Sequence, residues 1–283
     1  MITCNLMGGL GNQIFQIFAT IAFAIKSNNN FRFLLVDKLG GGSGTTLRYT
    51  YWNTFFSSLK PVLTNIFPQM ETIRENGFKY NDIPTINLFN KNIVLYGYFQ
   101  SYKYFQNYYE TICKMIKLDE MKEGIIKKYN INPNHLENSI SMHFRLGDYK
   151  KVSDFHPIMP YEYYKKSLSH IKNVTDGNND LNILFFCEDE DIDMVTDTIN
   201  KLQNDFPNYI FERKYSHLED WEQMLFMSLC AHNIIANSSF SWWAAYFNSN
   251  IDKIVCYPSV WFGEKANNDT SDLCPKKWKK IQV

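Results

Sequence analysis

The sequence predicts an α/β protein with mostly parallel, doubly wound sheets, and three observations support this. Short apolar runs alternate with helical patterns along the chain, which is typical of parallel sheets covered by helices. Two such series flank the segment 130–134, where Pro133 disfavours a continuous helix, so we expect domains over 1–135 and 136–283. Three loops of glycine and polar residues follow strand-like runs, where open α/β sheets bind ligands.

The first series begins with a β-α-β pattern. A strand over 2–7 precedes a helix over 12–26, in which apolar residues recur at helical spacing, and a second strand is predicted over 31–36. Four glycines then predict a flexible loop over 38–46, and the stretch from there to Lys91 is predicted to be irregular.

The second series supplies most of the predicted sheet. Helices are expected over 103–117 and 119–129, before the linker. After the linker we expect strands at 140–146, 181–187, 209–212, 233–236 and 254–257, and helices at 161–171, 191–204, 218–230 and 241–248.

Composition and charge argue against several classes of protein. The chain has 283 residues, 45% of them hydrophobic, with 29 basic and 29 acidic residues and a formal net charge of zero. No global field therefore recruits nucleic acid or an anionic membrane, and an anion site must be local. Six scattered cysteines lack metal-ligand spacing and indicate reduced thiols. We see no signal-peptide pattern and no apolar stretch of membrane-spanning length, and expect a cytoplasmic protein with at most peripheral membrane contact.

The central motif, residues 142–149, carries the clearest chemistry. Alternation along the strand places His143 and Arg145 on one face, near its carboxyl end. An arginine followed by Gly147 suits a pyrophosphate there, because the planar guanidinium donates in a fork to phosphate oxygens. The alternative is structural: Arg145 pairs with an acid such as Asp148, beside a hydrogen-bonded core histidine.

The opening loop allows a different interpretation. Gly9 and Gly11, with Asp37 at the end of the next strand, partly match the dinucleotide fingerprint and would suit an NAD(P)-dependent oxidoreductase. However, Ile14 stands where that fingerprint has its third glycine. A second alternative is a tight turn in which Asn12 caps the following helix.

Two further segments carry polar groups at predicted helix starts. Residues 237–241 (Asn-Ser-Ser-Phe-Ser) offer N–H groups and hydroxyls that cap a helix, bind a phosphate, or do both. Residues 188–191 (Glu-Asp-Glu-Asp) contain an Asp-x-Asp, the spacing with which metal-dependent sugar transferases hold a divalent ion. Acids are also favoured in the first turn of any helix, which is the simpler explanation.

Taken together, three motifs resemble the α-1,2-fucosyltransferases, a family of inverting glycosyltransferases. They are residues 8–16 (GGLGNQIFQ), 143–149 (HFRLGDY) and 232–245 (HNIIANSSFSWWAA), and they span nearly the whole chain. The resemblance implies a GT-B-like arrangement of two Rossmann-like domains that face each other across a donor cleft. It also implies GDP-β-L-fucose as donor, a galactose-containing glycan as acceptor, and no requirement for a metal or other cofactor.

The resemblance also assigns roles to individual residues. Arg145 would bind the donor β-phosphate with His143 beside the nucleotide, and either Asp148 or His143 would accept the acceptor's proton during an in-line displacement with inversion. Gly11 and Asn12 would face the donor from the N-terminal domain. The remaining donor-binding candidates are Ser238, Ser239 and Phe240 for the diphosphate and Asp189 or Glu222 for guanine.

Two positions depart from the family pattern. Relatives usually have a second arginine where this chain has Leu146, which leaves one cation fewer. Relatives often have an aspartate suited to guanine where this chain has Gln223 beside Glu222. The competing functions are an NAD(P)-dependent Rossmann oxidoreductase and a non-catalytic nucleotide-sugar-binding protein.

Overall fold

The protein divides into two compact units. The structure is a computed structural model that describes residues 1–40, 47–85, 91–175, 181–214, 217–266 and 268–283. Unit 1 comprises residues 1–121 and 268–275, and unit 2 comprises residues 122–267 and 276–283. The boundary predicted after residue 135 therefore differs from the division that the structure shows.

Unit 1 is an α/β unit with a small parallel sheet. In chain order, its helices and strands are β1 (Ile2–Cys4), α1 (Leu10–Lys26), β2 (Phe33–Leu34), β3 (Lys38–Leu39), β4 (Arg48–Tyr49), β5 (Leu63–Thr64), β6 (Glu71–Arg74), β7 (Ile93–Tyr96) and α2 (Tyr109–Ile116). The main sheet has the strand order β1-β7-β6, while β2 pairs with β5 in parallel and β3 pairs with β4 in antiparallel orientation.

Helix α1 forms the core of unit 1. Its residues from Leu10 to Ala24 are buried except Asn12, as expected for a helix that is apolar nearly all round. The rings of Phe15 and Phe18 lie 6.0 and 5.5 Å from the ring of Phe105. The predicted helix over 12–26 is confirmed, and it begins two residues earlier than expected.

The predicted β-α-β start is only partly confirmed. The strand expected over 31–36 is reduced to the two-residue β2, and β1 pairs instead with β7, with one isolated bridge from Ile2 to Phe31. Phe33 is fully buried, whereas Leu34 and Leu35 are 43% and 46% exposed, so this apolar run is only partly buried. Strands of parallel sheets are usually buried on both faces, and this run lacks that burial.

The region predicted to be irregular also contains regular structure. The predicted loop over 38–46 includes strand β3, and its residues 41–46 lie outside the described residues. Strand β6 lies within the stretch that precedes Lys91. The helix expected over 103–117 is shorter, since 3-10 turns occupy 102–108 before α2 begins.

The contacts of helix α3 (Leu118–Lys128) explain where the boundary falls. Lys122 donates to the carbonyl oxygen of Phe247, and Lys128 donates to Glu222 at 2.7 Å, so most of α3 packs within unit 2. The segment 268–275 joins unit 1 because the hydroxyl of Ser101 donates to the carbonyl oxygen of Asp272 at 2.6 Å. The predicted linker over 130–134 therefore lies inside unit 2.

Unit 2 contains the larger sheet, and all five of its predicted strands are confirmed within a few residues. The sequence did not predict its last strand. In chain order, its further helices and strands are α4 (Pro133–Leu136), β8 (Ser139–His143), α5 (Tyr161–Val174), β9 (Asn182–Phe186), α6 (Ile192–Asp205), β10 (Ile210–Glu212), α7 (Asp220–Met227), β11 (His232–Ile234), α8 (Ser239–Phe247), β12 (Val255–Pro258) and β13 (Lys279–Ile281).

The strand order of unit 2 locates a ligand crevice. The six strands are all parallel, in the order β10-β9-β8-β11-β12-β13. Numbered along the chain within this sheet, this is the order 3-2-1-4-5-6 of the doubly wound nucleotide-binding fold. The order reverses between β8 and β11, and ligands of such sheets bind beyond the carboxyl ends of the strands at this switch point.

The alternation predicted along β8 is also confirmed. Ile140, Met142, Phe144 and Leu146 are all at most 5% exposed and belong to one apolar cluster. Ser141 lies on the other face, where its hydroxyl accepts a hydrogen bond from an amide on β11 at 2.7 Å. Among the described helices of the protein, none has the length and apolar character that crossing a bilayer would require.

Candidate active site at the switch point

Arg145 lies just beyond the carboxyl end of β8, between two carboxylates. One guanidinium nitrogen donates to Asp148, three residues along the chain, and another donates to Glu188, which follows the neighbouring strand β9. Burial alone would lower the pKa of Arg145, but the charges of Glu188 and Asp148 outweigh burial and raise it. The structural pairing with Asp148 that the sequence left open is therefore present.

Gly147 allows this arrangement through its backbone. Its φ is +34°, a backbone conformation that is strained for any residue with a side chain. A Cβ placed on Gly147 would also lie 2.6 Å from Oε2 of Glu188. Its N–H donates to Asp191 at 2.8 Å, which fixes the turn to the loop after β9. The glycine thus brings two strand ends into contact.

Tyr149 connects the central motif to the third motif. Its hydroxyl donates to the carbonyl oxygen of Asn237 at 3.1 Å, and the guanidinium of Arg145 lies 5.1 Å from its ring centre. The ring of His156 stacks on Tyr149 at 4.7 Å. Neither Tyr149 nor His156 was among the predicted site residues, although Tyr149 ends the central motif.

His143 is buried and uncharged. Its ring lies 5.4 Å from that of Phe240, so the second and third motifs meet here. Burial, and next the charge of Arg145, lowers the pKa of His143 to about 3. Its Nδ1 has no hydrogen-bond partner among the described residues. The structure thus favours a neutral imidazole, which is a poor proton acceptor at this pKa.

Ser238 caps helix α8. Its hydroxyl accepts a hydrogen bond from the N–H of Phe240 at 3.3 Å, and its own N–H donates to the carbonyl oxygen of Ala236 at 2.8 Å. Asn237 is not the cap, because its amide donates to the carbonyl oxygens of Pro157 and Trp261. The amides of Ser238 and Phe240, which were expected to face the diphosphate, therefore already have partners within the protein.

The Asp-x-Asp has its two carboxylates in different surroundings. Asp189 is exposed over 82% of its side chain and pairs with Arg213. Asp191 is buried, accepts from the backbone of the turn after β8, and lies 2.6 Å from the ammonium of Lys150. One carboxylate therefore faces solvent and the other is held inside, so the acid run also has a structural role.

Glu222 lies in the first turn of α7 and is occupied by donors of the protein. It forms a capping box with Glu219 and accepts from Lys128 at 2.7 Å and from the hydroxyl of Tyr129 at 2.8 Å. Only 2% of its surface is exposed. Burial alone would raise the pKa of Glu222, but the hydrogen bonds from Lys128 and Tyr129 lower it. These contacts describe a structural carboxylate.

The opening loop in unit 1 leads to a helix start without a side-chain cap. Gly9 is the N-cap residue of α1, and among the described residues no side chain caps it and no acid lies in its first turn. The predicted cap, Asn12, instead accepts from the amide of Gln100 at 2.8 Å. Gly11 is buried in the first turn. Such a terminus keeps N–H groups and a partial positive charge available to an anion.

Two buried glutamines that were not among the predicted site residues hold this loop. Gln16 accepts from the N–H of Met7 at 2.8 Å and donates to its carbonyl oxygen at 3.2 Å. Gln13 donates to the carbonyl oxygens of Gly8 and Tyr49 at 3.0 and 2.8 Å. The sequence does contain a signal for this role, because two glutamines stand among the apolar residues of the helix. Buried amides require hydrogen-bond partners, so their position predicts contacts with a nearby backbone.

The fold and the site define the class of protein. Doubly wound sheets of this strand order typically bind nucleotides at the switch point, beside which Arg145 lies. The model of glycosyl transferase family 11 matches residues 45–282, and the chain belongs to this family. The family predicted from the three motifs is thereby confirmed, and the oxidoreductase alternative is not.

Three relatives cover almost the whole chain. The O-antigen biosynthesis glycosyltransferase WbnK of Escherichia coli is 29% identical over 98% of this chain and 99% of its own length. An alpha-1,2-colitosyltransferase of Escherichia coli is 28% identical over 100% of this chain and 99% of its own length. A galactoside 2-alpha-L-fucosyltransferase of Caenorhabditis elegans is 23% identical over 99% of this chain and 79% of its own length.

Proposed function

We propose that this protein is an inverting α-1,2-fucosyltransferase that transfers L-fucose from GDP-β-L-fucose to the 2-hydroxyl of a galactoside. The observation that carries the proposal is the guanidinium of Arg145 at the switch point of the sheet in unit 2. Membership of family 11 supports glycosyl transfer, and two relatives are named for transfer to a 2-position. The GT-B arrangement implied by the motifs is part of this proposal.

Arg145 would act on the leaving group. Departure of GDP from the anomeric carbon places negative charge on the β-phosphate, and a fixed guanidinium stabilises that charge more in the transition state than in the ground state. The start of α8 lies beside the carboxyl end of β8 and adds its partial positive charge. A metal would be redundant in this mechanism, and we propose that none is required.

Asp148 is the better candidate for the proton acceptor. The two candidates at this site are Asp148 and His143, and a His143 with a pKa of about 3 takes up a proton poorly. Asp148 lies beside Arg145 and has 53% of its side chain exposed, so an incoming hydroxyl can reach it. Because the transition state is expected to resemble an oxocarbenium ion, a weak base that accepts the proton late is sufficient.

The remaining donor contacts differ in their support. Gly11 and Asn12 lie at an uncapped helix start, which suits an anion. Ser238, Ser239 and Phe240 would act mainly through the dipole of α8, because the amides of two of them have partners. Asp189 is exposed and suits the N–H edge of guanine better than Glu222 does, because protein donors already occupy Glu222.

A donor and acceptor assay tests the proposal. The protein is incubated with GDP-fucose and lactose, with and without EDTA, and both GDP and the fucosylated product are measured. We expect transfer that EDTA does not abolish, and at least a hundredfold lower kcat/KM for Arg145→Ala, in line with about 2.7–4 kcal/mol for removal of one transition-state donor. Lys150→Ala, at a neighbouring cation paired with Asp191, is the control for lost charge.

Two results would overturn the proposal. Binding of GDP-fucose without transfer to any of a panel of β-galactosides and without hydrolysis would support the non-catalytic alternative. An unchanged rate of sugar transfer in Arg145→Ala would contradict the proposed role of Arg145 in stabilising the leaving group. The identity to an alpha-1,2-colitosyltransferase favours a second candidate, transfer of colitose, and a competition between fucose and colitose donors separates the two sugars.

A further inference from the structure

The charges around Arg145 are unfavourable for a diphosphate. The single guanidinium is shared by the carboxylates of Asp148 and Glu188, so the group carries a net negative charge before any ligand arrives. The neighbouring cations are also engaged, since Arg213 pairs with Asp189 and Lys150 lies against a buried aspartate. If this group stayed unchanged when a diphosphate bound, both carboxylates would repel the diphosphate at close range.

We propose that Glu188 occupies the place of the donor β-phosphate on Arg145 in the free enzyme and leaves it when the diphosphate binds. The inference rests on the proposed function, because it concerns the same donor site. It makes Glu188 a residue that sets the affinity for the donor by competition. The carboxylate and the phosphate are exchangeable here because each presents two anionic oxygens that accept from the two-pronged guanidinium.

Glu188 is the carboxylate that can leave. Asp148 stands three residues after Arg145, on the 3-10 turn over 147–151, so its contact is local. Glu188 reaches Arg145 from the loop after a different strand and has 51% of its side chain exposed, so it can turn into solvent. Its position over Gly147 is available only because that residue has no Cβ.

The opposite role predicts the opposite result. If Glu188 serves to orient Arg145 for the phosphate, removing its charge loosens the guanidinium and weakens nucleotide binding. If Glu188 competes with the phosphate, removing its charge strengthens binding. The sign of the change in affinity therefore decides between the two roles, and the isosteric change Glu188→Gln keeps the volume of the side chain.

The experiment measures Kd for GDP and for GMP by calorimetric titration, at low and high salt. We compare the unchanged protein, Glu188→Gln, and Glu190→Gln as the control. Glu190 is an exposed acid two residues along the same turn. We expect Glu188→Gln to bind GDP about three- to tenfold more tightly at low salt, because an exposed ion pair and one repulsion are removed. The gain shrinks at high salt and is smaller for GMP, which lacks the β-phosphate.

Each outcome has a defined meaning. Unchanged or weaker binding of GDP by Glu188→Gln, with GDP still bound by the unchanged protein, overturns the inference and leaves the proposed function standing. An equal gain for Glu190→Gln also overturns it, because the effect is then general electrostatics. Failure of the unchanged protein to bind GDP at all sinks both the inference and the proposed function.

Discussion

Replacing Asn233 by alanine removes the amide that joins the two strands of the switch point. Asn233 on β11 is fully buried; its amide donates to the hydroxyl of Ser141 on β8 at 2.7 Å and to the carbonyl oxygen of Met227 at 2.9 Å. Its side-chain oxygen accepts from Asn248 at 2.8 Å. Each buried group left unpaired costs about 1–3 kcal/mol, so we expect a loss of about 3–5 kcal/mol in the free energy of unfolding.

Urea unfolding followed by tryptophan fluorescence measures this loss of stability in unit 2, which contains Asn233. Five of the six tryptophans lie in unit 2, so the signal reports mainly on that unit. Asn204→Ala, at an exposed position near the end of α6, is the control and should change stability by less than about 0.5 kcal/mol. A loss below about 1 kcal/mol for Asn233→Ala at an unchanged m-value would refute the view that this amide holds β8 and β11 together.

Three further predictions concern single side chains. Gly147→Ala should cost about 1–2 kcal/mol and lower the melting temperature, because φ is +34° and Glu188 must move. Burial, and next Lys122, lowers the pKa of Lys253 from 10.5 to about 8. Between about pH 8 and pH 10.5 the unfolded chain therefore binds more protons than the folded chain, and stability rises with pH. At about 1.4 kcal/mol per pKa unit the rise is at most about 3 kcal/mol, and chemical unfolding of Lys253→Met should lack it. Gln16→Leu should cost about 1–3 kcal/mol in calorimetric unfolding, because the backbone of the preceding loop loses two partners.

The sequence was informative where burial imposes a pattern. The strands of unit 2 are buried on both faces, so they appear as apolar runs, and the alternation along 140–146 correctly identified the four residues of this strand that pack in the core. The pairing of Arg145 with Asp148 was also accessible, because three residues along a turn separate the two. Local patterns therefore predicted most of the strands and helices of unit 2.

The parts that the sequence did not predict depend on long-range contacts or on exposed strands. Strand β6 is mostly exposed and β13 begins with two exposed lysines, so neither has an apolar run. The contact between Arg145 and Glu188 spans 43 positions, and that between Asn12 and Gln100 spans 88. Such pairs follow from strand order and from the packing around α1, which composition and periodicity do not determine.

Leu146 shows why the missing second arginine of the motif cannot simply be restored. Its side chain is 5% exposed and packs in the apolar cluster under β8, on the face opposite to His143. A guanidinium placed there would be buried without an established partner, at a cost of several kcal/mol. Leu146→Arg should therefore destabilise unit 2 by more than about 3 kcal/mol in urea and should not tighten GDP binding, whereas Leu146→Met should cost less than about 1.5 kcal/mol. A stable Leu146→Arg protein that binds GDP more tightly would mean that position 146 can turn toward the phosphate, and that the donor site lacks a cation which the fold could accommodate.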